Sequence, residues 1–261
     1  VTPSSISAIN RLPLPEKRRL YARFVPSELL MRFDIPTDFL DRDGRDLLTL
    51  RARAGAADVH VDLRHEFGAR DPLLYAHLTD TVNGQIHVLL YVVNDPASPR
   101  FDVDIMPDGT PTKFGVFRRN LQAERAAMQA GLAPGQVRSG LRMLSYSIAS
   151  FETFVSELRH EFFFVEPLAY HNAVVFEKYG FRYAKGRALM DRIHEEFQAD
   201  RRLYNALDGS TPFRQPGMAK SIRGRSWAIH DGIMGHPYSG VTMYKQIGVK
   251  GEVDTFPYGA W

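Results

Sequence analysis

The sequence predicts an α+β fold: a mixed, largely antiparallel central sheet flanked by helices, with a C-terminal extension. Three observations carry this expectation. Between residues 59 and 63, Val59, Val61 and Leu63 alternate with His60 and Asp62, the two-residue repeat of a half-buried strand. Between residues 141 and 158, Leu141, Leu144, Ile148, Phe151, Val155 and Leu158 recur at steps of three and four, the apolar stripe of a long helix. Between them, Asn83-Gly84 joins two β-rich runs with a dipeptide that accepts the positive φ of a tight hairpin.

Taken in order, residues 15–33 carry two short helical patterns separated at Val25-Pro26, where Pro26 opens the second with Ser27 and Glu28 in its first turn. Residues 73–78 and 85–93 pair through Asn83-Gly84. Phe101-Asp102-Val103-Asp104-Ile105 alternates and extends this meander as a further strand. Phe117, Leu121, Met128 and Leu132 then form a helical stripe that stops near Gly131. After the long helix, Phe162-Phe163-Phe164-Val165 reads as a strand covered on both faces. The next helix runs from Asn172 as N-cap to Gly180 as stop, with Glu177 and Lys178 on its solvated side. Leu189, Ile193 and Phe197 mark one more helix, while residues 226–230 and 241–247 read as late strands. No repeat divides the chain, so residues 1–261 are expected to form a single domain, with residues 184–261 as its extension.

Of the 261 residues, 44% are hydrophobic and 24% charged, the balance of a globular protein that folds without metal or disulfide. The absence of cysteine excludes thiol nucleophiles, disulfides and Cys-ligated metal. No apolar run reaches the ~18–20 residues of a membrane span, and the first residues lack a secretory apolar stretch, so a cytoplasmic protein without a membrane partner is expected. A net charge of +3 with pI near 9.1 raises the question of nucleic acid. The basic residues are dispersed, and the densest group, Arg201, Arg202, Lys220, Arg223 and Arg225, has few aromatics within it. A solvated surface accounts for it, and no nucleic-acid partner is expected.

Two segments carry chemistry. Ala133-Pro134-Gly135-Gln136-Val137-Arg138-Ser139-Gly140-Leu141-Arg142-Met143-Leu144 leads into the long helix, where unpaired amides and the positive end of the dipole can receive phosphate oxygens. Gly140 permits close approach, and Arg138 and Arg142 add charge-assisted contacts. This segment resembles the Q/R-x-x-G-x-G/A loop of the GNAT superfamily of N-acyltransferases, although Val137 and Arg142 depart from the usual residues. Asn172-Ala173-Val174-Val175-Phe176-Glu177-Lys178-Tyr179-Gly180-Phe181 is similar to the same family's N-x-x-A-x-x-x-Y-E-K-x-G-F signature. With the order of elements, the resemblance covers residues 48–183.

The resemblance implies an acetyl-CoA or other acyl-CoA cosubstrate, held by Arg138, Ser139, Gly140, Leu141, Arg142 and Asn172. It implies acyl transfer to a small-molecule or peptide amine, and it leaves open an acyl-carrier protein as donor, for which Arg118 and Arg119 suit as well. The amine loses a proton to a base and the departing thiolate takes one from an acid, often a tyrosine. Phe176 stands where that tyrosine is common, leaving Tyr170, Tyr179 or water as the acid. For the base, Glu166 ranks first because it follows Phe-Phe-Phe-Val, ahead of Asp102 and Asp104 on their strand and His171 nearby. Two alternatives stay open. One is a GNAT-like module that binds an acyl thioester without catalysis. The other is a metal-dependent enzyme using His230, Asp231 and His236, with His160-Glu161 or His194-Glu195, although their spacing matches no metal motif and no metal site is assigned. A homodimer is also compatible with the sequence.

Overall fold

The computed structural model describes residues 3–112, 118–257 and 259–261. In chain order the elements are α1 (Ile6–Ile9), α2 (Leu14–Tyr21), a 3₁₀ turn (Ala22–Phe24), α3 (Ser27–Arg32), β1 (Leu48–Arg51), β2 (Asp58–Leu63), β3 (Leu74–Asp80) and β4 (Ile86–Val93). There follow α4 (Leu121–Gln129), α5 (Leu144–Glu157), β5 (Phe162–Val165), α6 (Tyr170–Lys178), β6 (Arg182–Lys185), α7 (Arg187–Glu196), α8 (Arg202–Asn205), a 3₁₀ turn (Pro216–Lys220), α9 (Ile222–His230) and β7 (Thr242–Gln246). The described strands form a seven-stranded mixed sheet in the order β1-β2-β3-β4-β5-β7-β6. The meander β1 to β4 is antiparallel, and β5 joins β4 in parallel. The chain is thus α+β. Among the described residues no helix is long and apolar enough to cross a membrane.

The chain divides into two compact units. The first comprises Val1–Ala97, Gly140–Glu166 and Tyr244–Val249. Its meander turns at Gly84, whose φ of +73° closes a hairpin bonded from Thr81 N–H to Gln85 C=O at 2.8 Å. Asn83 keeps negative φ, so the turn is not of the type that needs two left-handed residues. Val59, Val61 and Leu63 are buried as the alternation requires. The α5 stripe packs into an aromatic cluster: Phe151 lies 5.0 Å from Phe24, 5.4 Å from Phe163 and 6.0 Å from Tyr91, ring to ring. Such pairs add about 0.5–1.5 kcal/mol each beyond the area they bury. Asn10 is fully buried, accepts from Tyr21 Oη at 2.7 Å and donates to the carbonyls of Ala56 and Asp58, which ties the N-terminal helices to β2.

The second unit comprises Ser98–Ser139, Pro167–Met243 and Lys250–Trp261. Trp227 on α9 is buried, stacks on Phe213 at 5.2 Å and donates from Nε1 to the Leu132 carbonyl at 2.8 Å. α4 and α6 end as expected, with Gly131 and Gly180 left-handed at φ of +88° and the following residue bonding back into the last turn.

Several expectations are corrected. Residues 101–105 form no strand; they hold an isolated bridge between Ile105 and Pro111. Arg100 draws Asp102 and Asp104 to itself, with Asp104 at 2.7 Å, and so folds the segment onto a common cation. Residues 226–230 are helical, because Ser221 caps α9 by accepting from Gly224 N–H at 3.0 Å and the apolar residues all point inward. Phe117, placed on the α4 stripe, lies outside the described residues. Of β5 only Phe163 and Val165 are fully buried, so one face of that strand is well covered and the other partly. Arg225 is not on the surface: it is buried over the Phe256 ring at 3.7 Å and donates to the Ala219 carbonyl.

Candidate functional site

In the first unit, β4 and β5 meet and part. His87 pairs with Phe164 and Val88 with Val165, and Glu166 N–H donates to the Val88 carbonyl at 3.1 Å. The parallel register ends there, whereas β4 runs on to Val93. At the same level the register with β3 slips: Leu78 faces Val88 and His77 faces Leu90, leaving Leu89 as an extra residue. Such a bulge bends and twists the strand locally and re-aims its peptide groups. The result is a place where β4 presents backbone that β5 does not pair.

The segment entering α5 lies at the far end of β4. A Cβ placed on Gly140 would sit 3.5 Å from the Val93 carbonyl, an ordinary contact. Arg142 is exposed with φ of +58°, turning the chain sharply into the helix. The helix itself starts at Leu144, later than its apolar stripe suggests, because this turn stands between Leu141 and the first helical residue. Its first amides are therefore those of Leu144, Ser145 and Tyr146 rather than those of Ser139, Gly140 and Leu141. Met143 provides no side-chain cap and the first turn holds no acidic residue. The Ser139 amide already donates to Ser98 Oγ at 3.1 Å, and Arg138 donates to the Ser98 carbonyl.

The candidates for proton transfer are distributed differently from expectation. Glu166 follows β5 and is exposed, so the bulky run before it does not desolvate it. On β4, His87 is a group that sequence patterning did not single out. Its Nε2 is buried without a hydrogen-bond partner, its ring meets Phe164 at 6.2 Å, and burial holds its pKa below the ordinary value while Glu166 opposes that shift. Tyr91, also on β4, has a buried hydroxyl without a partner, as does Ser147 on α5. Burial drives the Tyr91 phenol upward, and the nearby Ser147 hydroxyl pulls against it without completing hydrogen-bond geometry. The only sequence signals for these residues were a polar or phenolic group in an otherwise apolar strand and a serine on an apolar helix stripe.

In the second unit, Tyr170 is the first residue of α6 and is buried. Its hydroxyl lacks a hydrogen-bond partner, and burial pushes it up to about 12 against the nearby Arg225 cation. Tyr179 follows α6 as its C-cap and is exposed. Asn172 is not the N-cap: Ala169 holds that position, and Asn172 reaches back from the first turn to accept the Ala169 N–H at 3.2 Å. Phe176 packs against Phe181 with tilted rings, 4.9 Å apart. His171 is buried, bonded through Nδ1 to Ser226 Oγ at 2.8 Å and pushed by burial down to about 3, so it stays neutral and out of solvent reach.

The C-terminal histidines do not gather into a cluster among the described residues. His230 meets Glu124 at 2.9 Å, while Asp231 is held by Arg119 at 2.7 Å, Arg214 at 2.8 Å and Thr211 at 2.8 Å. Arg119 is committed to that network, with Glu124 as its other partner, and Arg118 is exposed. His236 is exposed and contacts the Pro237 carbonyl. His160 meets the Ser4 carbonyl, and His194 meets Gln198. In comparisons with known proteins, no family model, no curated protein and no solved structure matches the chain.

Proposed function

We propose that the chain is a divergent GNAT-type N-acyltransferase that binds an acyl-coenzyme A and transfers its acyl group to an amine. The observation that carries this reading is the parting of β4 from β5 beside the Leu89 bulge, with the uncapped start of α5 following the end of β4 in the same unit. Strand backbone left unpaired by β5 can bond an extended pantetheine-like chain, and the helix start offers amides and a positive dipole end to pyrophosphate. The thioester carbonyl is attacked by the amine nitrogen; the C–N bond forms, the C–S bond breaks, and the nitrogen's proton passes to a base. His87, neutral and flanked by Glu166, has the chemistry of that base, either directly or through water. The thiolate takes a proton from water or from a tyrosine of the same unit, for which Tyr91 on β4 is the candidate.

A second reading, binding without turnover, is favoured by Phe176, which offers no hydroxyl and is packed on Phe181. Calorimetry with coenzyme A, acetyl-coenzyme A and longer acyl thioesters tests the binding that both readings share. Ser145 is exposed in the first turn, so Ser145→Asp should keep or raise the melting temperature of the apo protein through the helix dipole. The same charge should weaken thioester binding by at least about tenfold, because like charges then meet at the phosphate site. Equal affinity in Ser145→Asp moves the site elsewhere, and no binding of any thioester overturns the reading. Release of free coenzyme A thiol on adding amines separates enzyme from binding module.

A further inference from the structure

We propose that Asp58, His60 and His77 form a binding site for a divalent transition-metal cation of the zinc class, which clamps β2 to β3. Neither the acyltransfer reading nor the C-terminal histidines enter this assignment. His60 and His77 are direct partners across the antiparallel pair and therefore share a face of the sheet, and Asp58 lies two residues from His60 on that face. One ligand atom from each of the three lies within 4.8 Å of the others. The imidazoles are stacked at 4.0 Å, and His60 Nε2 is 3.9 Å from Asp58 Oδ2. Zinc ligands at about 2.0–2.1 Å in a tetrahedron stand roughly 3.3 Å apart, so modest rotation of the rings brings this set onto one ion.

The donor chemistry fits as well. Two imidazole nitrogens and one carboxylate oxygen suit zinc and its neighbours better than calcium or magnesium, and water can complete the shell because all three residues are partly exposed. His60 Nδ1 is 2.6 Å from Tyr75 Oη. With Nδ1–H donated to that oxygen, the Nε2 lone pair is left on the side of Asp58, the second partner that fixes a metal-binding tautomer. One feature opposes a cation. Arg51 on β1 is the register partner of His60, and Arg51 and Arg53 line the same cavity of about 380 Å³ as Asp58 and His60.

The test uses the full untagged chain, stripped of metal by chelator and titrated with ZnCl₂ by calorimetry. Saturable uptake of one zinc per chain is expected. His60→Ala and His77→Ala should each weaken it by at least about tenfold, Tyr75→Phe by roughly tenfold, and Arg51→Met should tighten it. Should the histidine variants fail to fold, Co²⁺ added to the parent must shift the His60 and His77 imidazole NMR resonances before those of His230 and His236. Absence of saturable uptake, unchanged affinity in the His60→Ala/His77→Ala double variant, or first shifts at His230 and His236 overturns the site.

Discussion

Glu177 illustrates how burial redefines a residue. Helix spacing assigns it with Lys178 to the solvated side of α6, yet it is buried, accepting from Thr255 N at 2.8 Å, Thr255 Oγ1 at 2.7 Å and the Tyr183 hydroxyl. Burial raises its pKa despite those donors. A carboxyl with a raised folded-state pKa binds its proton more tightly in the native than in the unfolded chain. Its contribution is therefore fully present below the unfolded value, near 4.3, and is lost as pH rises through the folded-state pKa. Glu177→Gln keeps the shape and one acceptor while removing that loss. Urea unfolding of parent and variant at pH 4 and pH 7 should show the Gln variant gaining stability relative to the parent at the higher pH. A difference independent of pH would mean that Glu177 is not protonated more readily in the folded chain.

At the scale of elements, starts and stops follow local chemistry, but the element that supplies the cap is set by geometry. α6 begins at Tyr170 with Ala169 in the cap position, which has no side-chain acceptor, and Asn172 compensates from within the first turn. Asn172→Ala should lower stability by about 0.5–1.5 kcal/mol in the absence of any ligand, measured as a shift in the denaturant midpoint at constant slope. An unchanged midpoint would show that the Ala169 amide finds another acceptor. α5 tells a similar story: its apolar stripe is continuous from Leu141, but the left-handed Arg142 delays the helix to Leu144, and the candidate anion-binding amides move with it.

At the scale of the whole molecule, packing of distant segments within a unit decides which residues are irreplaceable. Gly251 of the C-terminal segment lies against the end of α6: a Cβ there would meet the Glu177 carbonyl oxygen at 2.7 Å and Gly180 Cα at 2.8 Å, both backbone atoms. Gly251→Ala must displace the segment that also carries Thr255, the partner of Glu177. A loss of about 1–3 kcal/mol is expected by calorimetric or denaturant unfolding. A neutral result would mean that residues 250–255 move aside at little cost.

The local periods of this protein are legible along the chain: the alternation of β2, the stripe of α5, the hairpin at Gly84, and the glycine stops of α4 and α6. Those features rest on contacts within a few residues, which composition and spacing encode directly. Folding in three dimensions sets where the parallel pairing of β4 with β5 ends, that Leu89 bulges there, and that His87, Tyr91 and Ser147 have unpartnered polar atoms. It alone exposed Glu166, buried Glu177, and set His60 opposite His77. Register between strands and the burial of a single polar group depend on partners tens of residues away, and a pattern read along one chain carries no distance between them.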